Sequence, residues 1–176
     1  GGVYTHPNMP FQELMRRNDV SIGVAGGSVD KNWLLLQAYS KKQNLNLLTH
    51  ATPKFAAPPL INRFMLSQEL DASINFWHYN ARLAAAGLEL TLPVTTMLTN
   101  LNVQADVPLL GWVFDETWAN QQTSLITGFI KASFAAKFIL ANQPQEWQRI
   151  RSLTKAESDE VFESLQINYP TTLLTQ

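Results

Sequence analysis

Val20, Ile22 and Val24 alternate with the small or polar Ser21, Gly23 and Ala25, the two-residue period of a strand, and this predicts a buried strand over 20–25. Gly26-Gly27 follows, a pair that lets the backbone turn tightly and leaves it uncovered by side chains. Ser28 or Asp30 then caps a helix expected over about 30–42. Trp33, Leu34, Leu35, Leu36, Ala38 and Tyr39 make that helix apolar on most sides, so it is expected to be covered on two faces, and Lys41-Lys42 suit its C-terminal end.

The same reading extends in both directions. Residues 1–19 read as a loop and a short helix, with Phe11, Leu14 and Met15 on one helical face. After a connector at 44–48, a strand is expected near 49–56, and Pro58-Pro59 starts a helix whose inner face is Leu60, Ile61, Phe64 and Met65. Asp71 to Trp77 reads as a strand, His78 to Ala86 as a helix stopped by Gly87, and Leu88 to Val94 as another strand. Strand and helix thus alternate, which indicates α/β with a mainly parallel sheet. Beyond about 104 the pattern changes. Val107 to Phe114 is an apolar extended run, and the remainder looks helical: a strong helix at 123–141 with Ile126, Phe129, Ile130 and Phe134 on one face, a short one at 146–153, and a last one faced by Val161, Phe162 and Leu165 and stopped by Pro170. Thr154 to Glu157 has the form of a capping box, and Trp118 and Trp147 read as core.

Composition narrows the function classes. A chain of 176 residues, 45% hydrophobic, can bury a real core. With 13 basic and 14 acidic residues and no basic run longer than two, a nucleic-acid binder is not expected. There is no cysteine, which removes disulfides, thiol catalysis and cysteine-ligated metals. No stretch is expected to match the roughly 20 apolar residues of a membrane helix, and the first residues do not read as a signal peptide, which leaves export open.

Ligands of parallel α/β sheets bind beyond the carboxyl ends of the strands, and two such ends stand out. At Gly26-Gly27-Ser28, free backbone N–H groups meet the positive end of a helix, which suits an anion or polar ligand as well as it suits a plain structural turn. The turn lacks GxGxxG spacing, and no GxxxxGK[ST] occurs. At Asn75-Phe76-Trp77-His78-Tyr79, aromatic walls combine with hydrogen-bonding groups; Asn75, Trp77 and His78 are the candidate pocket residues and Phe76 reads as core. His6, His50 and His78 are scattered without HExxH, so no metal is expected, and no GxSxG elbow occurs. Asp115-Glu116 could pair as carboxylates but more simply open a helix.

Four ordered segments resemble the periplasmic substrate-binding proteins of ABC transporters in the nitrate/sulfonate/taurine (NMT1/THI5-like) group: Gly23 to Leu36, Phe55-Ala56-Ala57-Pro58-Pro59-Leu60, Asp71 to Trp77, and Pro108 to Phe114. Residues 125–140 also look like that family's long C-terminal helix. The resemblance implies one α/β lobe of a type II periplasmic binding protein over 18–105, a lead-in segment at 1–17, and a return strand with C-terminal helices over 106–176 that pack on the first lobe. It also implies that the front part of the first lobe is missing, so that the chain looks like a fragment, and that the exposed inter-lobe surface is open to dimerisation. Carried over by position, ligand contacts fall on Gly26, Gly27, Ser28, Asn75, Trp77 and His78.

The function so implied is non-catalytic: a solute-binding component of an ABC importer, periplasmic or at the cell surface, with no cofactor. It would close by a hinge around a small polar or anionic organic solute (sulfonate, nitrate, bicarbonate or pyrimidine type) and deliver it to permease and ATPase subunits. Two rivals share the fold. A thiamine-pyrimidine synthase-like enzyme would carry a cysteine-rich motif, absent here. A sensory or accessory ligand-binding domain would be told apart by its genomic neighbours.

Overall fold

The computed structural model describes residues 1–103 and 111–169. Five strands form one mixed sheet in the order β3-β2-β4-β1-β5: β1 (Gly2–Thr5), β2 (Val20–Ala25), β3 (Ala51–Ala56), β4 (Ala72–Ile74) and β5 (Glu89–Pro93). Strand β2 pairs in parallel with β3, Val24 opposite Phe55, and with β4, Val24 opposite Ile74. Strand β1 runs antiparallel between β4 and β5. The expected α/β class with a mainly parallel sheet is therefore present, with one reversed strand inside it.

Helices cover both faces because the strands are apolar on both. On one side Val3, Val20, Ile22, Val24 and Ile74 pack with Phe11, Leu14 and Met15 around α1 (Phe11–Leu14), Trp33, Leu36 and Tyr39 of α2 (Lys31–Lys42), Leu47 of α3 (Leu47–His50), and Met97 and Leu98 of α6 (Val94–Asn100). On the other side Tyr4 meets Ile61 and Met65 of α4 (Pro58–Leu66), Leu83 of α5 (Trp77–Ala85), Leu70 and Leu88. Val3 and Tyr4 face opposite ways, as neighbours on a strand must. A Cβ at Gly23 would lie 2.6 Å from Leu70 Cδ1 and 3.0 Å from Ile61 Cγ2, so only glycine lets α4 approach β2 this closely. At the end of α5, Gly87 has φ +86 and Leu88 N–H donates to Leu83 O at 3.0 Å, which closes the helix where the stop was expected.

Several expectations are corrected. Gly2–Thr5 is a strand, not loop; three of its residues oppose β4 and all four oppose β5. Helix α2 is buried on one face only, with Leu34 half exposed. In α4, Asn62 joins Ile61 and Met65 in the buried face, while Leu60 is exposed. The short α3 takes the end of the connector and Thr49-His50, expected as strand, and α6 takes Val94, expected as strand, with the unassigned residues after it.

Beyond the sheet come α7 (Glu116–Gln121), α8 (Thr123–Asn142), α9 (Glu146–Thr154) and α10 (Asp159–Asn168). Asp115 opens α7, its carboxylate accepting Trp118 N–H at 2.8 Å, so the helix-opening reading of Asp115-Glu116 holds. Of the apolar run at 107–114, residues 107–110 lie outside the described residues, as does Pro170; Gly111–Phe114 joins no strand among the described residues. Trp118 is exposed, contrary to its core reading, whereas Trp147 is buried. The cap of α10 is Ser158, whose Oγ accepts Val161 N–H, and Thr154 is the last residue of α9, which displaces the expected capping box. Helix α8 has no buried residue and is long and apolar enough to cross a membrane by length and composition, which corrects the expectation that no such stretch exists. Helix α10 lies against α5, with Ser164 Oγ donating to Ala81 O at 2.6 Å and Phe162 and Leu165 buried.

Candidate functional site

The parallel trio β3-β2-β4 ends on one edge of the sheet, and each strand leads there into a helix: β3 into α4, β2 into α2, β4 into α5. The leading N–H groups of a helix have no acceptor within it, and the helix end carries partial positive charge. Three helix N-termini therefore share an edge, but only α5 keeps uncapped leading N–H groups there: α4 opens on Pro58-Pro59, which have no N–H, and the Asp30 carboxylate takes the Asn32 and Trp33 N–H groups of α2.

The centre of that edge is the glycine turn. Gly26 has φ +103, a conformation that L side chains rarely adopt, and its N–H extends the β2–β3 pairing by donating to Ala56 O at 3.1 Å. Asp30 N–H closes the turn on Gly27 O at 3.0 Å. The Asp30 carboxylate then accepts Asn32 N–H at 2.9 Å and Trp33 N–H at 3.0 Å, which makes Asp30, rather than Ser28, the cap of α2. A Cβ on Gly26 or Gly27 would meet nothing within 4 Å, so open space lies directly over the backbone. Ser28 is exposed, and Val29 beside it is 82% exposed.

Asn75 lies at the end of β4 but does not offer its side chain to that space. It is 3% exposed. Its Nδ2 donates to Pro58 O at 2.9 Å and Asn62 Oδ1 at 3.3 Å, and its Oδ1 accepts Phe76 N–H at 2.8 Å. Its carbonyl accepts Asn80 Nδ2 at 3.0 Å. Asn75 thus stitches the start of α4 to the start of α5, so its place in the site is to hold two helix ends together. Phe76, read as core, is 46% exposed.

Trp77 and His78 turn away from the glycine turn. Together with Pro59 they line a cavity of about 720 Å³ between α5 and the α9–α10 arm, and Gly26, Gly27 and Ser28 are not among its lining residues. Trp77 packs edge-on against Tyr169 at 5.4 Å, and Tyr169 against Trp147 at 5.2 Å. Burial, and secondarily the Arg82 guanidinium, lower the His78 pKa below its ordinary value, which favours the neutral ring. The structure therefore divides the expected site residues into two groups: the open turn at 26–28, and the aromatic pair 77–78 facing the arm. The sequence reading missed Arg82, Trp147 and Tyr169. For Arg82 a signal was present, one helical turn after His78; the other two reach the cavity only through the return of the arm. His6 has a structural partner, its Nε2 lying 2.9 Å from Leu70 O. Among the described residues no group of three or more His, Asp or Glu side chains could hold a metal.

No protein-family model matches the sequence, and no curated protein matches it. Solved structures do. Among 15 matching chains is the crystal structure of the periplasmic aliphatic sulphonate binding protein SsuA from Escherichia coli, similar with a TM-score of 0.69 and 17% identity over 98% of this chain and 53% of that one. The chain spans about half the length of that protein. The likeness shows the fold: the chain is an α/β unit whose fold is similar to that of part of this periplasmic binding protein.

Proposed function

We propose that the protein binds a small polar or anionic organic solute at the carboxyl edge of the sheet, as the solute-binding component of an ABC importer in the periplasm or at the cell surface. One observation carries the reading. The uncapped N-terminus of α5 and the uncovered Gly26-Gly27-Ser28 backbone share one edge of a fold that also serves a sulphonate-binding protein. The turn and the first N–H groups of α5, at Trp77 and His78, are the solute contacts, and Asn75 holds the start of α5 against α4. The lobe that carries this wall takes in β1 (Gly2–Thr5) and the α1 residues as well as the segment expected from residue 18 onward. A further lobe, the counterpart of the half of the sulphonate-binding protein not matched here, provides the opposite wall, packs against the apolar α8, and closes on the solute. Permease and ATPase subunits are the partners.

A melting-temperature panel of short aliphatic sulfonates, nitrate, bicarbonate and pyrimidines on the full-length protein tests this. At a concentration near a hundred times Kd, a true solute raises Tm by about 5 °C or more. No shift with any member of the panel overturns the reading.

A further inference from the structure

We propose that the cavity between α5 and the α9–α10 arm is a second binding site, which takes a small, flat, uncharged heteroaromatic molecule. The site differs from the importer site: the glycine turn does not line this cavity, and Trp77 and His78 face it with their rings while the importer reading uses only their backbone N–H groups. Its volume, about 720 Å³, suits a small molecule. Tyr169 meets the Trp77 and Trp147 rings at 79° and 81°, so ring faces and edges alternate along the wall, and a flat guest can pack offset or edge-on against them.

The inner wall has no free charge to offer an ion. Arg82 spends its guanidinium on both Glu157 carboxylate oxygens and on the carbonyls of His78, Thr154 and Lys155. Glu157 is thereby neutralised, and Lys155 is exposed at the end of α9. Thr154 Oγ1 is occupied too, donating to Arg151 O and accepting Ala156 N–H. The polar groups that remain on the wall are the Trp77 indole N–H, the Tyr79 and Tyr169 hydroxyls and the His78 imidazole, which can accept a hydrogen bond from a ring N–H. The walls are pre-formed. Trp147 Nε1 donates to Leu140 O at 2.9 Å, Ser164 ties α10 to Ala81, and Arg82 ties the α9–α10 turn to α5. A guest therefore finds the rings already ordered.

The test is the ¹⁵N–¹H spectrum of the tryptophan indoles, five in this chain, during a titration with unlabelled indole. The Trp77 and Trp147 signals should shift together and saturate at about millimolar indole or below, while those of Trp33, Trp112 and Trp118 stay in place. No shift, unsaturable shifts of all five signals, or shifts confined to Trp112 or Trp118 overturn the proposal. Tyr169→Ala should weaken indole binding by a factor of about five. His78→Leu, which keeps the bulk of the wall, should weaken it about threefold and serves if the first variant does not fold. Benzoate bound as tightly as indole would overturn the assignment to an uncharged guest.

Discussion

Arg82→Met should destabilise the protein far more than Glu157→Gln, although the two side chains form one ion pair. The pair itself is worth little, because the Glu157 side chain is 64% exposed and water screens it; such a pair contributes about 0–1 kcal/mol. Arg82 is different. Its side chain is only 15% exposed. Nη1 donates to His78 O at 2.9 Å, and Nη2 to Lys155 O at 3.2 Å, with a longer bond to Thr154 O at 3.4 Å. Hydrogen bonds from a charged donor contribute about 1.5–3 kcal/mol each when fully formed, and the freed carbonyls near the surface recover part of that from water. Methionine keeps most of the apolar stem. The net expectation is a loss of about 2–3 kcal/mol for Arg82→Met and under about 1 kcal/mol for Glu157→Gln. Urea unfolding midpoints at neutral pH, read at constant m, measure both. A loss of less than about 0.5 kcal/mol in Arg82→Met, or an equal loss in the two variants, refutes the claim that Arg82 pins the arm through the backbone rather than through Glu157.

Two further tests concern the sheet. Gly23→Ala should cost about 1–3 kcal/mol by urea unfolding, since the new methyl group falls within 3.1 Å of Leu70 and Ile61 and α4 must move off β2; an unchanged midpoint would show that this contact is loose. Burial of Asp71 tends to raise its pKa, but the N–H and hydroxyl of Ser21 and the Arg17 guanidinium outweigh that and hold it below 3.8. A depressed carboxyl contributes stability that is complete above its unfolded value and lost as the pH falls through the folded one. Asp71→Asn should therefore be less stable than the parent by about 1 kcal/mol at neutral pH, and the gap should close as the pH falls through the lowered folded-state value; a gap that persists in acid would mean that charge is not its source.

Where local pattern and tertiary burial agree, the elements were legible in the sequence. Strand β2 alternates cleanly, the turn is marked by two glycines, and α2 begins with a capping aspartate, so that unit was readable to within a residue. Strand β1 was not: its four residues carry little pattern of their own, and partners more than 60 positions away make Gly2–Thr5 a strand. The burial of α2 and α8 was overestimated because apolar composition sets how much surface a helix can bury, not what arrives to cover it. Asn75 was singled out for its chemistry and its place at a strand end, but its amide is consumed by Pro58, Asn62 and Phe76. Trp77 and His78 were found, though the partner that defines their surroundings is an arm about 70 residues later in the chain.

The central claim is that the bare backbone at 26–28 receives the solute. Gly27→Leu tests it most directly, because the space over Gly27 is empty and its φ lies outside the left-handed region, so the leucine fits without strain and fills the place a ligand would take. Calorimetric titration of this variant, with whichever member of the panel stabilises the parent protein, should show affinity lower by about a hundredfold or more, with the melting transition within about 0.5 kcal/mol of the parent. Affinity equal to the parent's would contradict the account and leave the turn a structural feature of the strand end.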